Sequence, residues 1–244
     1  MSETTRDSRL AIALDVDDLN MACVMADAVH PWMGVAKVGF ELFATAGPTA
    51  ITAMIDRGYE VFADLKLHDI PATVGRAAAK LGRTGVRWLT VHTVGGADML
   101  RAGVEGLAEG SEGVAQVLGV TILTSDADRS QDVLESRVAL ARDAGCGGVI
   151  CSAADLPVVK GVAPELSCVV PGIRLPGSSH NDQASVATPD AAIAAGASIL
   201  VVGRTVTADV QGLTIRSNHL AKALADMADK ARLVATSINR GNPL

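Results

Sequence analysis

The chain has 244 residues, 49% of them hydrophobic, with a mean hydropathy of +0.31 and a net charge of −6. That length can bury one large core, while the absence of any Lys/Arg run and an aromatic content of only 2% argue against nucleic-acid binding. The most apolar run, AAIAAGASILVVG at 191–203, sits between Asp190 and Arg204 and is too short to span a bilayer, so no membrane partner is expected.

The N-terminal MSETTRDSRL has no apolar leader-type segment, which makes the cytoplasm the expected location. The cysteines (Cys23, Cys146, Cys151, Cys168) form no C-x-x-C pair and read as reduced, small core residues.

Along the chain, short β-branched or apolar runs recur: LAIALD at 10–15, VAKVG at 35–39, EVFADLK at 60–66 and VRWLTVH at 86–92. They continue as AQVLGVTIL at 115–123, GGVICS at 147–152, LSCVVPG at 166–172 and SILVVG at 198–203. Nearly continuous apolar strands are expected in a parallel sheet covered on both faces. Helical patterns lie between them. DDLNMACVMADAV follows the first run with acidic residues expected in its first turn, and GPTAITAMIDRG places Pro48 near a helix start and Gly58 at its end. RSQDVLESRVALARDAG stops at Gly145, and NHLAKALADMADKARLVAT is the longest amphipathic stretch. Eight strands alternating with helices predict an α/β chain folded as one (β/α)₈ TIM barrel over 1–244, the barrel proper spanning about 9–232. A doubly wound open sheet is the alternative.

In such a barrel the strand ends share one rim, where active sites lie. The first run ends at Asp15, the second carries Lys37, the third Asp64 and Lys66, and the fourth ends at His92. Thr124 and Ser125 follow the fifth, Arg174 the seventh, and Gly203 and Arg204 the eighth. Asp64 and Lys66, two apart on a strand, are expected to share the inward face, leaving Leu65 and Leu67 to pack outward. Asp69 falls past the strand end, and Pro71 suits the first turn of the next helix. Asp15, Lys37, Asp64 and Lys66 would then alternate in sign in a low dielectric, each favouring its neighbour's ionised form. An ammonium held in that way can stabilise a developing anion and then protonate it. Structural ion pairs are the competing reading.

The loop PGIRLPGSSHNDQ at 171–183 and VVGRT at 201–205 supply backbone amides, Arg204 and the Gln183 amide in the positions of a barrel phosphate site. His92 and His68 read as structural, and His30 and His219 have no ligand partner nearby. No metal-ligand spacing appears, so no metal is expected.

These residues carry a family resemblance. DLKLHDIPAT at 64–73, with Asp15, Lys37, L-T-S at 123–125, P-G-I-R at 171–174, D-Q at 182–183 and V-G-R at 202–204, resembles the compact bacterial orotidine 5′-phosphate decarboxylases from about residue 9 to 232. The resemblance implies cofactor-free conversion of orotidine 5′-monophosphate to UMP and CO₂, the last step of de novo pyrimidine biosynthesis. It makes Lys66 the proton donor to carbon 6, beside Asp64, Lys37 and an Asp69 contributed across a homodimer interface. It assigns Asp15 and Lys37 to the ribose, and Thr124 to the pyrimidine. Ile70 and Thr73 would line the neighbouring subunit's site, and Arg174, Gln183, Gly203 and Arg204 would hold the phosphate, whose binding would close the 174–188 loop. The family's usual D-I-P-N-T is here D-I-P-A-T with Ala72, Asp-Pro is replaced by Asp209-Val210, and the 175–182 loop is idiosyncratic. A metal-using keto-sugar-phosphate decarboxylase of the same superfamily and a non-catalytic phosphate-binding barrel are the competing functions.

Overall fold

A computed structural model describes residues 6–123, 126, 128–175 and 187–239. Its strands are β1 (Asp7–Ala13), β2 (Met33–Gly39), β3 (Glu60–Leu67), β4 (Trp88–His92), β5 (Gln116–Val120), β6 (Gly148–Ile150), β7 (Ser167–Val170) and β8 (Ile199–Val202). Each pairs in parallel with the next, and β8 pairs back with β1, so the sheet closes into an eight-stranded barrel. The open-sheet alternative is therefore set aside.

The covering helices are α1 (Leu19–Val29), α2 (Phe40–Ala46), α3 (Pro48–Ile55), α4 (Pro71–Gly82) and α5 (Ala97–Ser111). After them come α6 (Gln131–Asp143), α7 (Leu156–Val162), α8 (Pro189–Ala194), α9 (Arg204–Thr207) and α10 (Leu220–Asn239). Among the described residues no helix is long and apolar enough to cross a membrane.

The elements begin and end for local reasons. Pro48 and Pro71 open α3 and α4 at the first turn, where a missing N–H costs nothing. The acidic residue expected inside the first turn of α1 is instead its cap: the Asp18 carboxylate accepts the Asn20 and Met21 amides at 2.7 and 3.1 Å. The first strand also stops earlier than expected. β1 ends at Ala13, and Asp15 lies past it, exposed at the rim.

Two apolar cores result. One fills the space between sheet and helices and includes Leu65, with Leu67 packed on its margin. The other lies inside the barrel, where Ala11 and Ala13 of β1 leave room for Phe62 and Trp88. α4 and α5 lie against each other with almost no space between their backbones, because a Cβ at Gly106 would fall 2.1 Å from the Gly75 carbonyl oxygen. That close seat fixes the start of α4, and with it the turn carrying Asp69.

Candidate active site at the barrel mouth

A cavity of about 320 Å³ opens at the C-terminal ends of the strands. Its polar side carries Asp15, Lys37, Asp64 and Lys66; Ile122, Leu123, Ile150 and Pro171 form an apolar wall; Arg174, Gly203 and Arg204 lie at the β7 and β8 ends.

The four charged residues make a continuous chain. Lys37 Nζ lies 2.8 Å from Asp15 Oδ1 and 3.7 Å from Asp64 Oδ2, and Lys66 Nζ donates to Asp64 Oδ1 at 2.7 Å. The Lys37 side chain is only 10% exposed and that of Asp64 only 14%, whereas Asp15 is 53% exposed. The inner carboxylate is thus clamped between two ammoniums where solvent screens least. Room for this comes from Gly39, where an added Cβ would meet Asp15 Oδ1 at 2.7 Å and Lys37 Nζ at 3.0 Å.

Asp64 and Lys66 both reach the mouth, as expected, but not by simple alternation. Along the β3–β4 ladder Ala63 pairs with Leu89 and Leu67 with Val91, so four residue steps of β3 span two of β4. A bulge therefore contains Asp64, Leu65 and Lys66, and it re-aims their side chains. Within it Lys66 adopts φ of 45°, a left-handed conformation that carries about 1–3 kcal/mol of strain in a non-glycine residue. The Lys66 N–H is released from the ladder and donates to the Thr90 hydroxyl at 2.8 Å, and that hydroxyl donates to Asp64 Oδ1 at 3.1 Å.

At the opposite side, Arg174 Nη1 donates to Thr205 Oγ1 at 3.0 Å, and Thr205 Oγ1 donates to the Ile173 carbonyl at 2.6 Å. Burial, followed by the neighbouring Arg204 charge, lowers the Arg174 pKa. Two guanidiniums brought together against their mutual repulsion suit a dianionic ligand group. The Arg174 amide also bonds to the Ala187 carbonyl at 3.0 Å, joining the two ends of the loop after β7. Thr124, Gln183 and the 176–186 part of the loop expected to close lie outside the described residues.

Three expected site residues are not in this chain's cavity. Asp69 is exposed, its carboxylate accepting the Ile70 amide at 2.6 Å; Ile70 is 64% exposed; Thr73 is half-buried in the first turn of α4. The His92 ring lies near that of His68, with centroids 5.7 Å apart and planes tilted by 42°, and burial, with the charges of His68 and Lys66, lowers its pKa. Among the described residues no group of three or more His, Cys, Asp or Glu side chains could hold a metal ion. Sequence reasoning missed Gly39, Thr90 and Thr205. Only Thr205 stood inside a recognised motif.

A (β/α)₈ barrel with a lysine–carboxylate chain and an arginine pair at one mouth has the make-up of a barrel enzyme. The chain belongs to the orotidine 5′-phosphate decarboxylase / HUMPS family, whose model matches residues 8–212. It is 44% identical over 207 residues to an orotidine 5′-phosphate decarboxylase of Anaeromyxobacter sp., covering 80% of this chain and 89% of that one. A Nitrosospira multiformis protein of the same name is 37% identical over 237 residues, covering 93% and 98%. The crystal structure of orotidine 5′-phosphate decarboxylase from Lactobacillus acidophilus superposes with a TM-score of 0.76 at 30% identity, covering 96% of this chain and all of that one.

Proposed function

We propose that this chain is a cytoplasmic orotidine 5′-phosphate decarboxylase, converting orotidine 5′-monophosphate to UMP and CO₂ in pyrimidine biosynthesis without a metal or organic cofactor. The observation that carries the reading is the Asp64 carboxylate held between Lys37 and Lys66 beside an apolar wall. Family membership and the relatives' names support the substrate.

In this mechanism Arg174, Arg204, the Gly203 backbone and Gln183 hold the phosphate, and Asp15 and Lys37 hold the ribose. The pyrimidine lies toward the apolar wall with Thr124 at its edge. The bond from carbon 6 to the carboxylate breaks, its electron pair stays on carbon 6, and CO₂ leaves. The Lys66 ammonium stabilises the carbanion and transfers a proton to carbon 6, giving UMP; the neutral amine is then reprotonated from solvent. Asp64 keeps that ammonium charged and aimed. Binding energy from the distant phosphate is available for the chemistry.

The working unit in this proposal is a homodimer in which Asp69, Ile70 and Thr73 complete the partner's cavity. Their position outside their own cavity supports this, as does an exposed apolar set beside Asp69. Phe40, Ile70 and Val94 follow the adjacent strands β2, β3 and β4 and are 61%, 64% and 50% exposed.

The test is the loss of orotidine 5′-monophosphate absorbance with EDTA-treated protein. Full metal-free turnover is expected. Restoration only by a divalent cation would transfer the chain to the metal-using sugar-phosphate decarboxylases, and UMP binding without turnover would leave a phosphate-binding barrel.

A further inference from the structure

Strand β4 contributes nothing to the cavity lining, yet it carries Thr90, a fully buried hydroxyl directly beneath the bulge. Thr90 points inward one alternation above Trp88, in an interior otherwise built from Ala11, Phe62, Leu118 and similar apolar groups. A hydroxyl there needs partners, and both are residues of the charged chain: it accepts the Lys66 amide and donates to Asp64 Oδ1.

We infer that Thr90 is a positioning residue for the Lys66–Asp64 pair, holding the left-handed Lys66 backbone through one bond and the Asp64 carboxylate through the other. The two bonds act on the same 2.7 Å contact from opposite ends. The amide bond compensates Lys66 for leaving the β3–β4 ladder, so the bulge persists at φ of 45°. The second bond fixes the rotation of the Asp64 carboxyl group, so that Oδ1 meets Lys66 while Oδ2 turns toward Lys37. Without the hydroxyl, the Lys66 amide is orphaned in the barrel and Oδ1 loses one of its two side-chain donors. The backbone then relaxes toward ordinary strand φ, carrying the ammonium away from the reacting carbon.

This inference rests on the proposed decarboxylase reading for its kinetic arm only. Thr90→Val keeps the shape and removes the hydroxyl, while Thr90→Ser keeps the hydroxyl. For Thr90→Val, kcat is expected to fall about 10–100-fold, as for a misplacement of the order of 1 Å, with KM within about threefold. Thr90→Ser should recover to within about threefold of wild type. A crystal structure of Thr90→Val should show negative φ at Lys66 and the Lys66–Asp64 contact opened beyond about 3.5 Å. An unchanged kcat in Thr90→Val, or Thr90→Ser falling as far as Thr90→Val, overturns the inference, since both would reduce Thr90 to core filling. Should wild type itself not turn over orotidine 5′-monophosphate, the decarboxylase reading fails, and the crystal structure alone decides Thr90: a contact still at hydrogen-bond distance refutes it.

Discussion

Gly39→Ala perturbs the charged chain at its outer end without touching a charge. The new methyl would lie 2.7 Å from Asp15 Oδ1 and 3.0 Å from Lys37 Nζ, where ordinary contact begins at 3.4 Å, so the carboxylate must retreat by about 0.7 Å and the ammonium by about 0.4 Å. Lys37 is buried and has little space to move, whereas Asp15 is half exposed and swings outward. The 2.8 Å Asp15–Lys37 contact is then lost, and the proposed ribose carboxylate is displaced by most of an ångström. Since errors of about 1 Å in a positioned group reach about 100-fold, kcat/KM for orotidine 5′-monophosphate should fall about 10–50-fold. Stability should hardly change. Gly39 has φ of −90° and ψ of −176°, which alanine adopts freely, and the loss of unfolded-state entropy contributes about 0.4–1 kcal/mol in the stabilising direction. Initial rates by absorbance, paired with thermal melts, read both quantities. Gly161→Ala in α7, whose added methyl meets nothing, is the control. Activity within twofold of wild type, or activity lost together with the fold, refutes the reasoning.

Lys66→Ala should lower kcat by about 10⁴-fold or more, whereas Arg204→Ala should act chiefly on KM; similar kcat in wild type and Lys66→Ala would dismiss the proton-donor role. If Asp69 completes the partner's site, inactive Asp69→Ala and inactive Lys66→Ala subunits should regain activity when mixed, and failure despite measured subunit exchange counts against sharing. His92 is held below its ordinary value of 6.5, so the unfolded chain binds that proton more readily than the folded one. Stability should therefore fall as pH drops below about 6.5, and His92→Gln should flatten that slope in urea titrations at several pH values; an unaltered slope would assign the acid sensitivity elsewhere.

The parts of the site legible in the sequence are those specified by strand ends. Runs of β-branched residues located all eight strands, and closure of the sheet then forced Lys37, Asp64, Arg174 and Arg204 toward one rim, since a barrel has only one C-terminal face. Boundaries at β1 failed because LAIALD is apolar up to Leu14, although the ladder with β2 reaches only Ala13. The resemblance named Asp69, and geometry alone explains why it is not a cavity residue: α4 begins at once with Pro71, and the turn before it faces outward.

What composition and periodicity could not reveal is how the strand departs from its own period. Alternation put Asp64 and Lys66 on one face for a reason that does not operate here, because the residues lie in a bulge whose register shift is defined only against β4. A bulge is a relation between two strands, and the group that sustains this one, the Thr90 hydroxyl, is 24 residues away from Lys66 in sequence. In the sequence Thr90 is one more β-branched residue in a strand that favours them. The same holds for Gly39, which reads as a strand end until the Asp15 and Lys37 side chains are seen to occupy the volume of its missing methyl. Charged residues announce a site, but the neutral ones that give those charges their distances become visible only when the strands are brought side by side. Substitutions at Thr90 and Gly39 therefore test the geometry of the charged chain separately from its chemistry.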